Sequence, residues 1–321
     1  MTLLLNENHL DGLLSVGEVI AAVEEALACQ QKGEVLSPMR MSLSGADRTL
    51  LAMPALTPVG AGVKVVSVVP ANAATGLPVT LGIMILLDQV TGQPLCIIDA
   101  ASLTKQRTGA VGAIGIKHIA PPDTDRIGII GCGVQGTMQA IYASAVRPIR
   151  TAFVLEPSDS VYDRFVAQLA KVVPDLHVVR CWCADDVLGR VDVIITATTS
   201  AVPVLPDDRR LLAGKAFVSI GSFKPEMQEL PDGVYALAST ILVDSEHAIE
   251  EVGDLVNPLQ KGLILPENIV PVGRLSSGEP RFHKGDTAVY KAVGDALFDV
   301  FVADAFYRKA RQQGVGFPMD L

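Results

Sequence analysis

The 321-residue sequence predicts an α/β protein in which a strand-rich α+β segment precedes a doubly wound parallel sheet. Three observations carry this. From Arg126 onward, apolar strand-like runs alternate with helix-like runs, as in parallel sheets covered by helices on both faces. Before Arg126, strand-like runs follow one another with little but turn signals between them. At the first strand-to-helix junction of the alternating half stands a G-x-G-x-x-G motif, Gly131, Gly133 and Gly136.

In chain order, residues 15–32 read as an amphipathic helix, with Ser15 as cap, Glu18 three residues on and Gly33 just beyond. Short strand-like runs follow: MRMSLSG, TLLAMPAL, GVKVVSVVP and VTLGIMILLDQVTGQPLCIIDA, separated by turn signals such as ANAATGLP and QVTGQP. LGIMILLD and PLCIID read as a hairpin around QVTGQ. SLTKQRTGAVGAIGIKHI reads as a helix capped near Ser102, and APPDTD as a boundary. Beyond it RIGIIG, TAFVLEP, LHVVRCW, VDVIITATT, AFVSIGS and TILVDS read as strands. VQGTMQAIYASAV, SVYDRFVAQLAKVV and ADDVLGR read as helices. The stretch from Asp286 through QQG reads as one long helix. It is too long for one more crossover, and is expected to leave the alternating half and pack back on the first.

Composition bounds the function. A chain that is 49% hydrophobic can bury a large core in two domains. Its net charge of -9 argues against nucleic acid or an anionic membrane as main partner, although a few local cations could still bind a small anionic substrate. The five cysteines (Cys29, Cys96, Cys132, Cys181, Cys183) are odd in number and scattered, which suits reduced thiols in a cytoplasm. MTLLLNENHL lacks the basic region of a secretory signal, and no apolar stretch reaches the roughly 18 residues of a membrane span. A soluble, cytoplasmic protein is expected.

In the glycine motif, the first glycine allows a tight turn, the second lets the backbone approach a pyrophosphate, and the third permits close helix–strand packing. The helix N-terminus favours the phosphates. Glycines also serve ordinary tight turns; the strand–helix context is what points to a dinucleotide. Glu156 ends the next strand, where an acid can accept hydrogen bonds from a ribose diol and repel a 2′-phosphate. No arginine directly follows it, so the reading leans to NAD(H) over NADP(H).

Three cations sit in otherwise apolar runs: Arg40 in SPMRMSL, Lys64 in GVKVVSV and Arg107 in LTKQRTGAVG. Buried cations are costly unless paired with an anion. An internal ion pair or a surface side chain is the ordinary explanation for one such residue. Three of them ahead of a nucleotide fold point to a carboxylate pocket, with arginine offering a planar fork and a desolvated lysine able to move a proton. His9, His118, His177, His247 and His283 show no metal-ligand spacing, so no metal is expected. The C-x-C around Trp182 reads as strand packing, and no serine-hydrolase signature appears.

The segment from GVKVVSVVPANAATGLPVTLG through LTKQRTGAVGA, followed by IGIIGCGVQG, resembles the ornithine cyclodeaminase/mu-crystallin family. So do VDVIITATTSAVPVL, GSFKPEMQEL and AVGDALFDVFVADAFY, so that the resemblance covers nearly the whole chain. It implies a homodimer of two-domain subunits. Residues 1–118 with 300–321 would bind substrate and dimerise; residues 119–299 would form a Rossmann domain for NAD(H) or NADP(H). Carried over position by position, Arg40 and Lys64 match the residues that hold the substrate carboxylate. Arg107 matches an arginine between substrate and cofactor phosphate, and Thr108 helps bind the pyrophosphate. Thr80 falls near a substrate-side threonine, and Met53 lines the pocket. Gly131, Gly133, Val134, Gln135, Gly136, Glu156 and Thr198 fall on the cofactor side.

Cyclodeaminases of this family carry an aspartate shortly after the strand equivalent to VSIGSF, assigned to ammonia chemistry. Here that place reads Gly221-Ser222-Phe223-Lys224, without an acid. The resemblance therefore implies the imine-reducing branch: NAD(P)H-dependent reduction of Δ1-pyrroline-2-carboxylate to L-proline, or of Δ1-piperideine-2-carboxylate to L-pipecolate. Arg40, Lys64 and Arg107 would clamp the carboxylate, and Lys64 or a bound water would protonate the imine. The alternatives are an alanine dehydrogenase, an ornithine cyclodeaminase, or a non-catalytic mu-crystallin-like binding protein.

Overall fold

A computed structural model describes residues 1–239, 241–275 and 285–320. Its strands are β1 (Thr2–Leu5), β2 (Met41–Ser44), β3 (Thr49–Thr57), β4 (Gly60–Val68), β5 (Thr80–Leu87), β6 (Pro94–Asp99), β7 (Arg126–Ile130), β8 (Thr151–Leu155), β9 (His177–Cys181), β10 (Val193–Thr196), β11 (Ala216–Ser219), β12 (Ile241–Val243), β13 (Ile269–Pro271), β14 (Ala288–Lys291) and β15 (Phe317–Met319). They form two sheets, and the chain divides by its contacts into two units. One comprises Met1–Arg107 and Asp295–Leu321; the other is Thr108–Gly294. These boundaries differ from 118/119 and 299/300. The division does not fall at APPDTD but inside the helix Ala100–Ile119, and the returning segment begins at the cap of the last helix.

The first unit holds a mixed sheet of order β15-β1-β6-β5-β4-β3-β2. β3 to β6 form an antiparallel meander, with a register shift near Leu86 and Leu87 in the predicted hairpin. β1, which sequence reading passed over, pairs in parallel with β6 and antiparallel with β15. Alternation sorts the faces. On one face Met53, Lys64 and Met84 stand opposite one another across β3, β4 and β5, all buried. The helix Ala296–Gln313 packs on these strands and against the helix Val16–Gln31. That second helix has the predicted capping box: Ser15 accepts from the Glu18 N–H and Glu18 accepts from the Ser15 N–H. The other face carries Met41 and Ile83 in one cross-strand row, and Leu43, Leu50 and Leu81 in the next, all exposed.

The second unit is an eight-stranded sheet of order β13-β12-β14-β11-β10-β7-β8-β9, parallel throughout. From β9 through β8, β7 and β10 to β11 this is the 3-2-1-4-5 order of the Rossmann fold, with the topological switch between β7 and β10. The α/β class is therefore as predicted. Its inner strands β7, β10, β11, β12 and β14 are almost wholly buried, which is why such strands carry unbroken apolar runs.

Three local expectations need correction. The helix Ala100–Ile119 is capped by Asp99, whose carboxylate accepts the Ser102 N–H at 2.7 Å; Ser102 lies inside the helix. The predicted last helix is two elements. Ala288–Lys291 forms β14 in the middle of the parallel sheet, and the helix starts only at Ala296, capped by Asp295 on the Leu297 N–H. A strand buried on both faces shows no alternation, so AVYK merged with the apolar helix that follows. Finally, only Cys181 of the C-x-C packs inward. Trp182 is 78% exposed with the Arg180 guanidinium 4.6 Å from its ring centroid, and Cys183 is exposed.

Candidate active site

In the strand-rich unit, Lys64 sits at the centre of β4 with only 2% of its side chain accessible. Such a buried ammonium needs an anion. Asp299 of the C-terminal helix supplies it, with a carboxylate oxygen 2.6 Å from Nζ. The same carboxylate accepts from Arg107 Nε at 3.0 Å. Asp299 is fully buried, so one carboxylate joins two buried cations. Burial draws Lys64 down to about 8, its attraction to Asp299 opposes this, and the fields of Arg107 and Arg40 push it lower again. Lys64 thus still carries its proton near neutrality and can give it up at modest cost.

Arg40 immediately precedes β2, whose Met41 pairs with Ala52, next to Met53. Register therefore aligns Arg40 with the Met53, Lys64 and Met84 row, and its charge is felt at Lys64. Thr80 does not join them. It is exposed at the start of β5 opposite Val68, roughly 13 Å along the strand from Met84.

Sequence reading missed Asp299. The signal was an acid between Phe298 and Val300 in a helix whose neighbouring residues are buried, which demands an internal cation partner.

In the parallel-sheet unit, β7 ends in the glycine turn and the helix Val134–Val146 begins at Gly133 as cap. Gly131 has φ of +93°, and a Cβ there would lie 2.8 Å from the Ala197 carbonyl oxygen and 2.9 Å from Thr198 Cγ2. A Cβ on Gly136 would run into the Gly131 carbonyl. Gly133 differs, because a Cβ there would meet no protein atom within 4 Å. Protein packing does not require this second glycine, and open space above it is what a pyrophosphate at this turn would use. A dinucleotide therefore fits the residues present. Val134 follows exposed, and Gln135 leaves a buried side-chain oxygen without a hydrogen bond.

Glu156, just past β8, accepts the Cys132 N–H at 3.0 Å and the Ser158 N–H at 2.9 Å, so its carboxylate stands beside the glycine turn. Burial and this carboxylate push the Cys132 thiol up to about 12, which makes it an inert packing residue. Thr108 is buried in the helix Ala100–Ile119, and its carbonyl accepts from Gln139 at 3.0 Å. Thr198, two residues beyond β10, is held by Glu229, which accepts from its N–H at 2.6 Å and its hydroxyl at 2.8 Å. The Gly221–Lys224 stretch carries no acid; Lys224 Nζ lies 5.6 Å from the Phe223 ring centroid. Among the described residues no group of three metal-ligating side chains comes together; His283 lies outside them. Among the described residues no helix is long and apolar enough to cross a membrane.

Comparisons with known proteins bear on the family and the fold. The model of the ornithine cyclodeaminase/mu-crystallin family matches residues 1–314. The Δ1-pyrroline-2-carboxylate reductase of Bacillus cereus is 34% identical over an alignment 324 positions long that covers 98% of each chain. The Δ1-pyrroline-2-carboxylate reductase of Thermococcus litoralis, solved in complex with NADH and L-proline, superposes with a TM-score of 0.93. It is 29% identical, over 99% of this chain and 100% of that one. An archaeal alanine dehydrogenase dimer with bound NAD gives 0.92 at 29% identity, over 100% and 99%. This chain belongs to the ornithine cyclodeaminase/mu-crystallin family.

Proposed function

We propose that this protein is a nicotinamide-dependent reductase of cyclic imino acids, converting Δ1-pyrroline-2-carboxylate to L-proline. The six-membered Δ1-piperideine-2-carboxylate is a second substrate, giving L-pipecolate. The observation that carries the reading is the Lys64–Asp299–Arg107 cluster. Two buried cations share one carboxylate, an arrangement that leaves excess positive charge for a substrate carboxylate. The gap at Gly221–Lys224 favours this over ammonia-releasing chemistry, and so do the named reductase relatives.

Arg40, Lys64 and Arg107 bind the substrate carboxylate and so orient the adjacent C=N bond. Asp299 holds Arg107 by Nε, and a guanidinium has two further nitrogens with which to donate. Lys64 donates a proton to the imine nitrogen, making its carbon the better hydride acceptor. When bound, a reduced nicotinamide would supply the hydride that the carbon of the protonated C=N bond accepts, leaving an amine. Gly131, Gly133 and Gly136 receive the pyrophosphate with Val134, Gln135 and Thr108, Thr198 lines the cofactor side, and Glu156 accepts from the ribose diol. NADH is thereby preferred to NADPH. Met53 lines the substrate pocket; the placement of Thr80 argues against a direct role.

The Met1–Arg107 and Asp295–Leu321 unit serves as substrate and dimerisation domain, and Thr108–Gly294 as dinucleotide domain. The exposed rows of Met41 with Ile83 and of Leu43, Leu50 and Leu81 support homodimerisation through the outward sheet face. Ile83→Asp should yield monomer by light scattering; an unchanged mass would place the interface elsewhere. The scattered cysteines support a cytoplasmic location.

The test is NADH and NADPH oxidation with both cyclic imines and with pyruvate plus ammonia, together with ammonia release from L-ornithine and NAD. Imine-dependent turnover is expected. Turnover only with pyruvate and ammonia would make the protein an alanine dehydrogenase; no turnover at all, with NADH still bound, would leave a binding protein.

A further inference from the structure

The parallel-sheet unit contains a second buried charge cluster that the imine chemistry above does not use. Glu229, Asp254 and Lys291 are each fully inaccessible to solvent. They gather just beyond the carboxyl ends of β10, β11 and β14, the side on which open α/β sheets take their ligands. Glu229 Oε1 accepts the Thr198 N–H and hydroxyl. Its Oε2 accepts the Gly221 N–H at 2.7 Å and the Ser222 N–H at 3.3 Å. One carboxylate therefore ties together the loops that leave β10 and β11.

Asp254 braces Glu229 from behind. Its Oδ1 accepts the Glu229 and Leu230 N–H groups at 2.9 and 3.1 Å, and the Tyr235 hydroxyl at 3.3 Å. Its Oδ2 lies 3.3 Å from Lys291 Nζ and 2.8 Å from Ser219 Oγ. Ser219 Oγ in turn accepts from Lys291 at 3.0 Å and lies 3.1 Å from Glu229 Oε2. Ser219 has a single hydroxyl hydrogen, so it donates to one of the two carboxylates at a time while Lys291 donates to its oxygen.

Two carboxylates against one ammonium leave this cluster one negative charge in excess, in a place without solvent to screen it. Through Thr198 the cluster is linked to the glycine turn. Thr198, which Glu229 holds, is the residue against which Gly131 of the glycine turn packs. Mutual bracing accounts for part of the arrangement, but a neutral network of amides and hydroxyls would brace the loops without the cost of burying three charges.

We propose that the Glu229–Asp254–Lys291 cluster sets the redox preference of the bound cofactor. Its excess negative charge favours the cationic oxidised nicotinamide over the neutral reduced ring, and so promotes loss of the hydride. This rests on the nicotinamide reading given above. In the step concerned, the hydride and its electron pair pass from the reduced ring to the imine carbon. The C=N pair passes to the protonated nitrogen, and the positive charge lost there appears on the nicotinamide. Glu229 acts as a positioning residue, through the loops and through its field, and touches no reacting atom.

The experiment measures dissociation constants of NADH and NAD+ for the whole protein, by NADH fluorescence and by displacement. Glu229→Gln and Asp254→Asn each remove one negative charge, and should raise the ratio Kd(NAD+)/Kd(NADH) roughly tenfold. Lys291→Met removes the compensating cation and should lower that ratio. A loosened loop weakens both redox forms alike and cancels in the ratio, so a structural role alone leaves it unmoved. The proposal is overturned if Glu229→Gln and Asp254→Asn change the ratio by less than about twofold, or if Lys291→Met shifts it the same way. A variant too unstable to bind either form is set aside, and the remaining charge changes decide. Wild-type protein that binds neither NADH nor NAD+ would instead refute the nicotinamide reading itself.

Discussion

Replacing Asp299 with asparagine keeps the size of the side chain and removes its charge. The carboxylate is fully buried, 2.6 Å from Lys64 Nζ and 3.0 Å from Arg107 Nε. Burial drags the Lys64 ammonium down, Asp299 holds it up, and the balance stands at about 8. An ion pair near contact is worth about 4 kcal/mol at an effective dielectric near 20, which is some three pKa units. Relaxation of the site absorbs part of that, so we expect Lys64 to fall by at least about one unit in Asp299→Asn. The assay is kcat/KM for Δ1-pyrroline-2-carboxylate reduction across the neutral to alkaline range. Wild type should lose activity on the alkaline side with a midpoint at about 8, as Lys64 gives up its proton. In the variant that midpoint should move below about 7, for a loss of roughly fivefold or more at the wild-type midpoint, while NADH affinity is kept. An equal loss at every pH, with the midpoint unmoved, would show that Asp299 does not govern the Lys64 proton.

Lys64→Met should lower imine turnover by roughly two or more orders of magnitude with NADH affinity intact; a matching loss of NADH affinity would put Lys64 at the nucleotide. The same variant tests linkage. Lys64 stands at about 8 folded and 10.5 as an ordinary lysine, so the folded state binds fewer protons between those values and stability rises with pH across them. Denaturant titrations should show wild type gaining up to about 3 kcal/mol there relative to Lys64→Met, and parallel curves would contradict the depressed value. Glu156→Ser should raise the NADPH-to-NADH ratio of kcat/KM roughly tenfold; an unchanged ratio would remove Glu156 from the ribose site. Gly136→Ala must displace the Gly131 carbonyl, so we expect a loss of about 1–3 kcal/mol in stability together with weakened NADH binding, measured by thermal shift and fluorescence.

Much of the parallel-sheet unit was legible because its signals are local. Strand runs, helix runs and the glycine turn each lie within a few residues of one another, and the helix Val134–Val146 has the predicted bounds. The strand-rich unit was legible through its turn residues and hairpin. What escaped depends on residues far apart in the chain. Asp299 acquires meaning only when β4 brings Lys64 to it, and Glu229 only when β10 and β11 lie side by side. β14 escaped because burial on both faces erased its period. The Asp99 cap escaped because serine and aspartate both cap, and only the strand end shows which one stands at the junction.

The pairing of Thr2 with Met319 and of Lys64 with Asp299 has a bearing on biosynthesis. A chain emerging from the ribosome has made the whole Thr108–Gly294 unit before Asp299 exists. The parallel-sheet unit can form during translation, whereas β4 must wait with Lys64 apart from Asp299 until the last helix is released. The pairing of Lys64 and Arg107 with Asp299 is therefore among the last contacts of the chain to form.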